Sequence, residues 1–345
     1  MDASRARRRG PRLGLALLAL ACSQGEPDAP VPSSALRLGY FANVTHAPAL
    51  IALDRGLLAE ALGPDVALEP HAFNAGPEAV EALFSGALDA TYIGPNPAIN
   101  AFARSRGEAI RIVAGCTSGG AALVVAPSIA SPEALRGRKL ATPQLGNTQD
   151  VALRSWLKGQ GLSATLEGAG DVAVVPQANA QTLETFRAGE IQGAWVPEPW
   201  ASRLVLEAGA TVLVDERSLW PDGRFVTTHL IVRTAFLHEH PELVERLLRA
   251  HLAAVDFANA SPAEARALAN AAIARVTGQA IAAPVLERAW GSLAFTVDPI
   301  AASLRKSAAD ATAVGLLDPV DLDGIYDLGP LDAILAAAGR PPVPR

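Results

Sequence analysis

The chain has 345 residues, of which 50% are hydrophobic, 19% charged and 5% aromatic, and its net charge is −6 at pH 7. This length is sufficient for two domains, and the apolar content permits a sizeable buried core. Five Arg and one Asp lie within residues 1–21, so the remaining 24 basic and 34 acidic residues give the rest of the chain a net charge of −10. An acidic chain with few aromatic residues argues against a nucleic-acid-binding protein.

The N-terminus resembles a bacterial lipoprotein signal. A basic segment is followed by an apolar segment at 13–21 that is too short to span a bilayer, and Cys22 comes directly after it. We predict a signal peptide at 1–21, acylation of Cys22 with attachment to the membrane, and a Pro- and Ser-rich tether at 22–34. The alternative is an ordinary secretory signal in which the cysteine has no role. Either reading predicts a periplasmic protein.

The first part of the chain alternates between strand and helix patterns, which predicts an α/β fold with mostly parallel strands. The predicted strands are 35–40, 66–73, 90–93, 110–114 and 122–125. The predicted helices are 48–62, 76–85 and 98–104, the last of them opened by a rigid turn at 94–97.

A second unit begins near Pro127 and repeats this alternation. Its predicted strands are 140–142, 172–175, 194–195 and 212–215, and its predicted helices are 151–160, 180–188 and 199–208. The β-rich segment 225–232 then returns the chain to the first unit. The rest is helical and rich in alanine, with predicted helices at 241–259, 262–277, 283–292, 299–314 and 331–338 that would cover the first unit.

Two polar loops echo each other in the two units. Residues 39–46 and 142–149 each follow an apolar strand and precede a helix, and each contains an Asn and a Thr suited to capping that helix. Helix N-termini carry free N–H groups and a partial positive charge, so they bind anions. Because neither loop contains Lys or Arg, we predict a small oxyanion held from both sides by neutral donors. The alternative is a pair of ordinary helix caps.

Motifs typical of an enzyme are missing from the sequence. It has no zinc-ligand spacing, no phosphate-binding loop and no Gly-x-Ser-x-Gly segment, and Cys116 is the one cysteine after Cys22. The single remaining cysteine forbids an internal disulfide among the later residues and is compatible with simple burial. We therefore predict neither catalysis nor a cofactor or metal.

Four segments resemble the aliphatic sulfonate, nitrate and taurine class of periplasmic solute-binding proteins, which serve ABC importers. They are NVTHAPA at 43–49, FNAG at 73–76, IGPNP at 93–97 and GAWVPEPW at 193–200. The resemblance implies a two-lobed periplasmic-binding-protein fold, type II-like, with two crossover strands and a helical C-terminal extension on the first lobe. It implies a first lobe at 35–125, a second lobe at 126–226 and a return to the first lobe at 227–345.

The resemblance also implies where the ligand binds, at the strand ends and helix starts between the lobes. The ligand-binding residues carried over by position are Tyr40, Asn43, Thr45, His46, Asn74, Gly76, Gly94, Pro95, Asn96, Ser118, Gly119, Gly146, Asn147, Thr148, Asn179, Trp195, Glu198 and Trp200. His229 is a further candidate. A carboxylate would repel a sulfonate, so Glu198 either contacts an amino group of the ligand or caps a helix away from it.

The expected function is capture of a small oxyanionic solute, an aliphatic sulfonate or a taurine-like compound, by a monomeric protein that delivers it to an ABC permease. Nitrate and the thiamine pyrimidine are the alternative ligands. An enzyme on the same scaffold is the alternative from another class, and the export signal counts against it.

Overall fold

The structure, a computed structural model, describes residues 34–344, and these form two β-sheets covered by helices. The strands are β1 (Ser34–Phe41), β2 (Val66–Phe73), β3 (Ala90–Ile93), β4 (Ile110–Gly119), β5 (Ala121–Val125), β6 (Arg138–Thr142), β7 (Val172–Pro176), β8 (Gly193–Pro197), β9 (Thr211–Asp215), β10 (Val226–Arg233) and β11 (Leu293–Phe295). The first sheet has the order β11-β4-β10-β3-β1-β2, and the second has the order β7-β6-β8-β5-β9.

Helices connect the parallel strands and cover both sheets. They are α1 (Ala47–Asp54), α2 (Leu57–Leu62), α3 (Gly76–Phe84), α4 (Pro95–Arg104), α5 (Thr148–Gly159), α6 (Asn179–Arg187), α7 (Trp200–Ala208), α8 (Thr234–Glu239), α9 (Pro241–Ala260), α10 (Pro262–Thr277), α11 (Ala283–Trp290), α12 (Ala301–Ala313) and α13 (Gly329–Ala337). Short 3₁₀ turns lie at Val44–His46, Pro132–Leu135, Glu216–Leu219 and Pro221–Gly223.

Each sheet has three parallel strands on one side and antiparallel strands on the other. In the first, β1 runs parallel to β2 and β3, while β10 pairs antiparallel with β3 and β4. In the second, β6 runs parallel to β7 and β8, while β5 pairs antiparallel with β8 and β9. The predicted α/β class with two sheets is confirmed. The carboxyl ends of the parallel strands lie at one edge of each sheet, where ligands bind in such folds.

The chain passes between the two sheets twice. The first passage is at Gly119 and Gly120, whose φ angles of 79° and 75° turn β4 of the first sheet into β5 of the second. The second passage runs from β9 to β10 over residues 216–225. The sequence predicted that the second unit begins near Pro127 and that the segment 225–232 returns the chain to the first unit, a few residues later in each case. Nothing in the sequence pattern shows that β5 pairs within the second sheet. The lobe boundaries themselves stay a prediction.

The C-terminal helices cover more than the first sheet. Helices α9 and α10 pack on α1 and α2, as expected, but α11 packs on α7, and α12 packs on both α4 and α5. These last two helices therefore bridge elements of the two sheets. None of the helices within residues 34–344 has both the length and the apolar character needed to cross a bilayer. The predicted signal peptide and Cys22 lie outside the described residues.

Two element boundaries differ from the sequence prediction for local reasons. The predicted helix 48–62 is interrupted at Gly56, whose φ of 71° ends α1 and starts α2. The predicted turn at 94–97 is instead the first turn of α4, because a helix accepts proline where its N–H groups have no partner within the helix.

Candidate functional site

One cavity of 30 Å³ is lined by residues that follow strands of both sheets. We call it the uncharged cavity, because its lining within the described residues includes no Asp, Glu, Lys or Arg. Its lining residues are Phe41, Asn43, Thr45, His46, Asn74, Gly94, Pro143, Asn147, Thr148, Gln149, Asn179, Pro197 and Thr227. Eight of these thirteen are residues that the sequence placed at a ligand site.

The starts of five helices meet at the uncharged cavity. His46 and Gly94 precede the first residues of α1 and α4, Thr148 and Asn179 are the first residues of α5 and α6, and Asn74 lies two residues before α3. Each helix start carries about half a positive charge together with unpaired backbone N–H groups. An anion can therefore be stabilised here without any cationic side chain.

The buried hydroxyl of Thr148 is the clearest indication of a ligand site. Its backbone N–H donates to Asn147 Oδ1 at 2.7 Å, so Asn147 caps α5 as predicted. The Thr148 side chain is only 6% exposed, yet its Oγ1 has no hydrogen-bond partner within residues 34–344. A buried hydroxyl without a partner is energetically costly, and a ligand oxygen in the cavity would supply the missing partner.

Gly94 lies directly across the cavity from Thr148. A Cβ atom added to Gly94 would stand 2.5 Å from Thr148 Oγ1 and 3.6 Å from the Thr227 carbonyl oxygen. Glycine is thus required at this position by close approach rather than by its φ of −71°. The loops of the two sheets meet at this contact.

The loop that carries Thr148 is fixed by a buried carboxylate that the sequence analysis did not single out. Asp150 Oδ1 accepts from Thr142 Oγ1 at 2.8 Å, and its Oδ2 accepts from the Gly146 N–H at 3.0 Å and from Arg154 Nε at 3.1 Å. Asp150 and Arg154 are both buried, so the pair holds the loop before α5 in one conformation.

The loop that carries Thr45 is fixed by hydroxyl groups. The Thr45 carbonyl oxygen accepts from Thr117 Oγ1 at 2.7 Å and from Thr228 Oγ1 at 3.0 Å. These two donors lie on the adjacent strands β4 and β10 of the first sheet, so they tie the loop to its centre. Asn43 does not cap the following turn, unlike its counterpart Asn147.

His46 is a neutral donor rather than a cation. Its Nδ1 accepts from the Phe41 N–H at 3.3 Å, and its ring stacks on the Phe41 ring with the centroids 4.4 Å apart. Burial lowers the pKa of His46 from 6.5 to about 3. With Nδ1 acting as acceptor, the one proton of the neutral ring resides on Nε2, where it can be donated to an anion.

A direct hydrogen bond joins the loop that carries Thr45 to the start of α7 at the edge of the cavity. Trp200, the first residue of α7, donates from Nε1 to Asn43 Oδ1 at 3.2 Å. The guanidinium of Arg203 lies over the Trp200 ring, 4.8 Å from its centroid. Trp200 therefore contacts a residue that lines the uncharged cavity, although it is not itself part of the lining.

Glu198 and Trp195 lie away from the uncharged cavity. Glu198 Oε2 accepts from the Ser202 N–H and its Oε1 accepts from Ser202 Oγ, both at 2.9 Å, so the carboxylate caps α7. Burial raises the pKa of Glu198. Trp195 is fully buried in the core of the second sheet and donates from Nε1 to Glu216 Oε2 at 2.7 Å.

Several other predicted residues support the loops or face elsewhere. Tyr40 lines a different cavity from Phe41, because successive residues of a strand face opposite sides of the sheet. Asn96 donates from Nδ2 to the Ser307 carbonyl oxygen at 3.2 Å, and Ser118 Oγ accepts from the Phe225 N–H at 3.3 Å. Gly76, Pro95, Gly119 and Gly146 form turns or helix starts next to the lining. His229 donates to or accepts from no lining residue and contacts the Pro299 carbonyl oxygen.

Five lining residues were not predicted: Phe41, Pro143, Gln149, Pro197 and Thr227. Four of them lie within a predicted loop, or within or next to a predicted strand, so the sequence placed them in the right segments. What the sequence could not give is the side of the strand that faces the cavity, since the strands are buried on both faces and lack alternation.

A second cavity, of 280 Å³, lies between the second sheet and α11, and we call it the charged cavity. The charged members of its lining are Glu198, Asp215, Arg217, Glu287 and Arg288. Their charges are at least partly satisfied within the protein, for example by the 2.6 Å contact between Arg217 and Asp215. Among the described residues, no group of three or more His, Cys, Asp and Glu side chains could hold a metal ion.

Comparison with known proteins gives three kinds of match. The chain matches the NMT1-like family over residues 29–274. It is 29% identical over 174 residues to the taurine-binding periplasmic protein of Escherichia coli (strain K12), which covers 50% of this chain and 52% of that protein. The chain thus spans about half the length of this relative.

Two solved structures share the fold. The alkanesulfonate-binding protein SsuA from Xanthomonas axonopodis pv. citri, bound to MOPS, has a TM-score of 0.68 and 22% identity over 84% of this chain and 96% of that one. The periplasmic nitrate-binding protein NrtA from Synechocystis PCC 6803 has a TM-score of 0.75 and 16% identity over 89% of this chain and 90% of that one.

The chain belongs to the NMT1-like family, because the match covers more than two thirds of its residues. Its two sheets and their covering helices share the fold of the two solved binding proteins. The class that the sequence resemblance predicted, the periplasmic solute-binding proteins of ABC importers, is confirmed for family and fold.

Proposed function

We propose that this protein binds a small oxyanionic solute, such as an aliphatic sulfonate or a taurine-like compound, in the uncharged cavity and delivers it to an ABC importer. The observation that carries this proposal is the meeting of five helix starts around a buried Thr148 hydroxyl that has no partner within residues 34–344. Neutral donors aimed at one small space suit an oxyanion, whose oxygens accept several hydrogen bonds at once.

The relatives support the same chemistry. The names of the Escherichia coli relative and of the two solved structures state that those proteins bind taurine, alkanesulfonate and nitrate. All three ligands carry an oxyanionic group. Because these proteins are binding proteins, they favour capture of an unchanged solute over catalysis.

Isothermal titration calorimetry with the purified protein tests the proposal. We expect alkanesulfonates or nitrate to bind with a 1:1 stoichiometry, and the ligand to be recovered chemically unchanged. A matched panel of cations and neutral amides should give no heat beyond dilution. Absence of binding by every oxyanion, with the protein folded by circular dichroism, would overturn the proposal.

The membrane attachment is proposed separately and concerns Cys22. An extracytoplasmic lipoprotein would keep the binding site close to its permease. Radiolabelled palmitate should enter the wild-type chain in cells and should not enter Cys22→Ala. Equal labelling of both chains would leave a secreted binding protein without a lipid anchor.

A further inference from the structure

We infer that the ligand is a compact oxyanion without an ammonium group, so that the protein selects simple sulfonates against their amino counterparts. This inference rests on the proposed function and narrows its ligand class. It is carried by the signs of the charges around the uncharged cavity, by the state of its polar atoms and by its size.

The helix-end partial charges at the cavity are all positive. Five helix starts meet there, each with about half a positive charge, and no carboxylate lies among the described residues of the lining. These ends attract a sulfonate but repel an ammonium group placed within a few ångströms of them. For a zwitterionic ligand, repulsion of the ammonium group would thus offset part of the binding free energy that the sulfonate contributes.

Glu198 directly follows the lining residue Pro197 along the chain, but its carboxylate is engaged elsewhere. Both of its oxygens accept hydrogen bonds from Ser202, at 2.9 Å each, and the side chain lines the charged cavity. Turning the carboxylate toward the ligand would break both bonds at the start of α7. The geometry therefore assigns Glu198 to helix capping and leaves the ligand without a counter-charge.

The carbonyl oxygens of two lining asparagines are also occupied. Asn43 Oδ1 accepts from Trp200 Nε1, and Asn147 Oδ1 accepts from the Thr148 N–H. Asn179 Oδ1 is buried and has no partner within residues 34–344. Rotation of that carboxamide by half a turn would present its N–H₂ group instead, which suits an oxyanion.

The cavity volume of 30 Å³ sets a further limit on the ligand. A water molecule needs about 10–15 Å³ of such space, so the cavity accommodates a group the size of about two water molecules. A sulfonate group is larger than that, so its binding requires the loops around the cavity to move apart, and every further atom on the ligand requires more of this movement. The size of the cavity therefore favours a compact oxyanion.

Calorimetry with three ligands that differ at one end tests the inference. Propane-1-sulfonate, isethionate and taurine carry the same sulfonate and end in a methyl, a hydroxyl and an ammonium group. We expect taurine to bind at least about tenfold more weakly than propane-1-sulfonate, since 1.4 kcal/mol of helix-end repulsion corresponds to that factor. Taurine binding as tightly as propane-1-sulfonate would overturn the inference and leave the proposed function intact. Failure of all three to bind would count against the proposed function itself.

A charge-changing pair of variants makes the test local. Asn179→Asp places a carboxylate of nearly the same shape in the lining and should improve the affinity for taurine relative to propane-1-sulfonate by about tenfold. Gln181→Glu adds the same charge at an exposed position of α6 and serves as the matched control. It should leave the ratio of the two affinities unchanged. Equal shifts in both variants would mean that general charge, and not the lining, sets the preference.

Discussion

The larger and more highly charged of the two cavities is not the one that we propose as the ligand site, because the polar groups of the two cavities differ in their hydrogen bonding. The charged cavity has a volume of 280 Å³ and five ionisable side chains, whereas the uncharged cavity has 30 Å³ and none apart from the neutral His46. Yet Glu198 and Asp215 of the charged cavity already have partners in Ser202 and Arg217. In the uncharged cavity, the buried Thr148 hydroxyl has no partner in the part of the chain that the structure describes.

We therefore base the proposed ligand site on a buried hydroxyl without a partner among residues 34–344, rather than on volume or formal charge. Ionisable groups that satisfy one another gain little from a ligand, because binding would first have to break their mutual contacts. A buried polar atom without a partner gains a hydrogen bond on ligand binding without losing one, since the free-energy cost of its burial is present until the ligand binds. The following predictions test the contrast between the two cavities.

The largest expected effect is that of Gly94→Ala on ligand affinity. The added Cβ would lie 2.5 Å from Thr148 Oγ1, so it must displace the hydroxyl and separate the two loops. Overpacking of this kind costs about 1–3 kcal/mol, and we expect the upper end, an affinity loss of about 100-fold by calorimetry. Gly291→Ala at the charged cavity is the control, because its Cβ would have 3.6 Å to the nearest atom, the Arg288 carbonyl oxygen. Unchanged affinity in Gly94→Ala would show that the loops do not meet around the ligand.

The next effect is that of Thr148→Ala, which removes the hydroxyl without a partner. A hydrogen bond to a charged group is worth about 1.5–3 kcal/mol, so affinity should fall about 10- to 100-fold. Thr45→Ala should act in the same direction from the other sheet. Thr148→Ser keeps the hydroxyl and should bind within about threefold of the wild type.

Arg288→Ala sharpens this second comparison. It removes a cation from the charged cavity and leaves the uncharged one intact. We expect its ligand affinity to equal that of the wild type. If Arg288→Ala weakened binding more than Thr148→Ala did, the ligand would belong in the charged cavity.

The sequence predicts the order of the elements well, because buried strands and Pro- or Gly-marked helices have strong local signals. Strand β3 and helix α10 begin and end at the residues predicted. The short helix α8 and the three-residue strand β11 were missed, since so few residues carry no clear period. The place of β5 in the second sheet was missed as well, because pairing between distant strands leaves no trace in a single sequence.

In the candidate site, too, local patterns could be predicted from the sequence and contacts between distant residues could not. Asn147 and Thr148 could be predicted, because a cap followed by an amphipathic helix is a local pattern. The orientation of Glu198 toward Ser202 could not be predicted, because the sequence is equally compatible with a carboxylate that contacts the ligand and with one that caps a helix. The sequence also could not predict that Phe41, rather than Tyr40, lines the uncharged cavity, because this depends on the side of β1 that faces the cavity.

A smaller effect is expected for Trp200→Phe, which removes the hydrogen bond to Asn43 across the cavity edge. A neutral hydrogen bond contributes about 0.5–1.5 kcal/mol, so affinity should fall about 2- to 10-fold. The same variant should lose most of the ligand-dependent change in tryptophan fluorescence. Trp195→Phe is the control, because that indole is fully buried against Glu216 and should not sense the ligand. Loss of the fluorescence change in Trp195→Phe alone would contradict this assignment.

The smallest expected effect is that of pH on affinity, and it tests whether any cation contributes to the site. Burial lowers the pKa of His46 to about 3, so the ring is neutral at every pH from 6 to 9 and remains a donor through Nε2. Affinity for a sulfonate should therefore change less than about twofold over that range, since His46, the ionisable side chain among the described residues of the lining, does not change its charge there.

Stability should respond to pH even though affinity does not. Because the folded pKa of His46 is below its ordinary value of 6.5, the unfolded chain binds more protons between pH 3 and 6.5, and stability falls as the pH falls through that window. Calorimetric titrations at pH 6, 7, 8 and 9 measure the affinity, and thermal unfolding between pH 3 and 7 measures the stability. A tenfold loss of affinity per pH unit above 7 would mean that the anion is bound by an imidazolium, and that the site depends on formal charge after all.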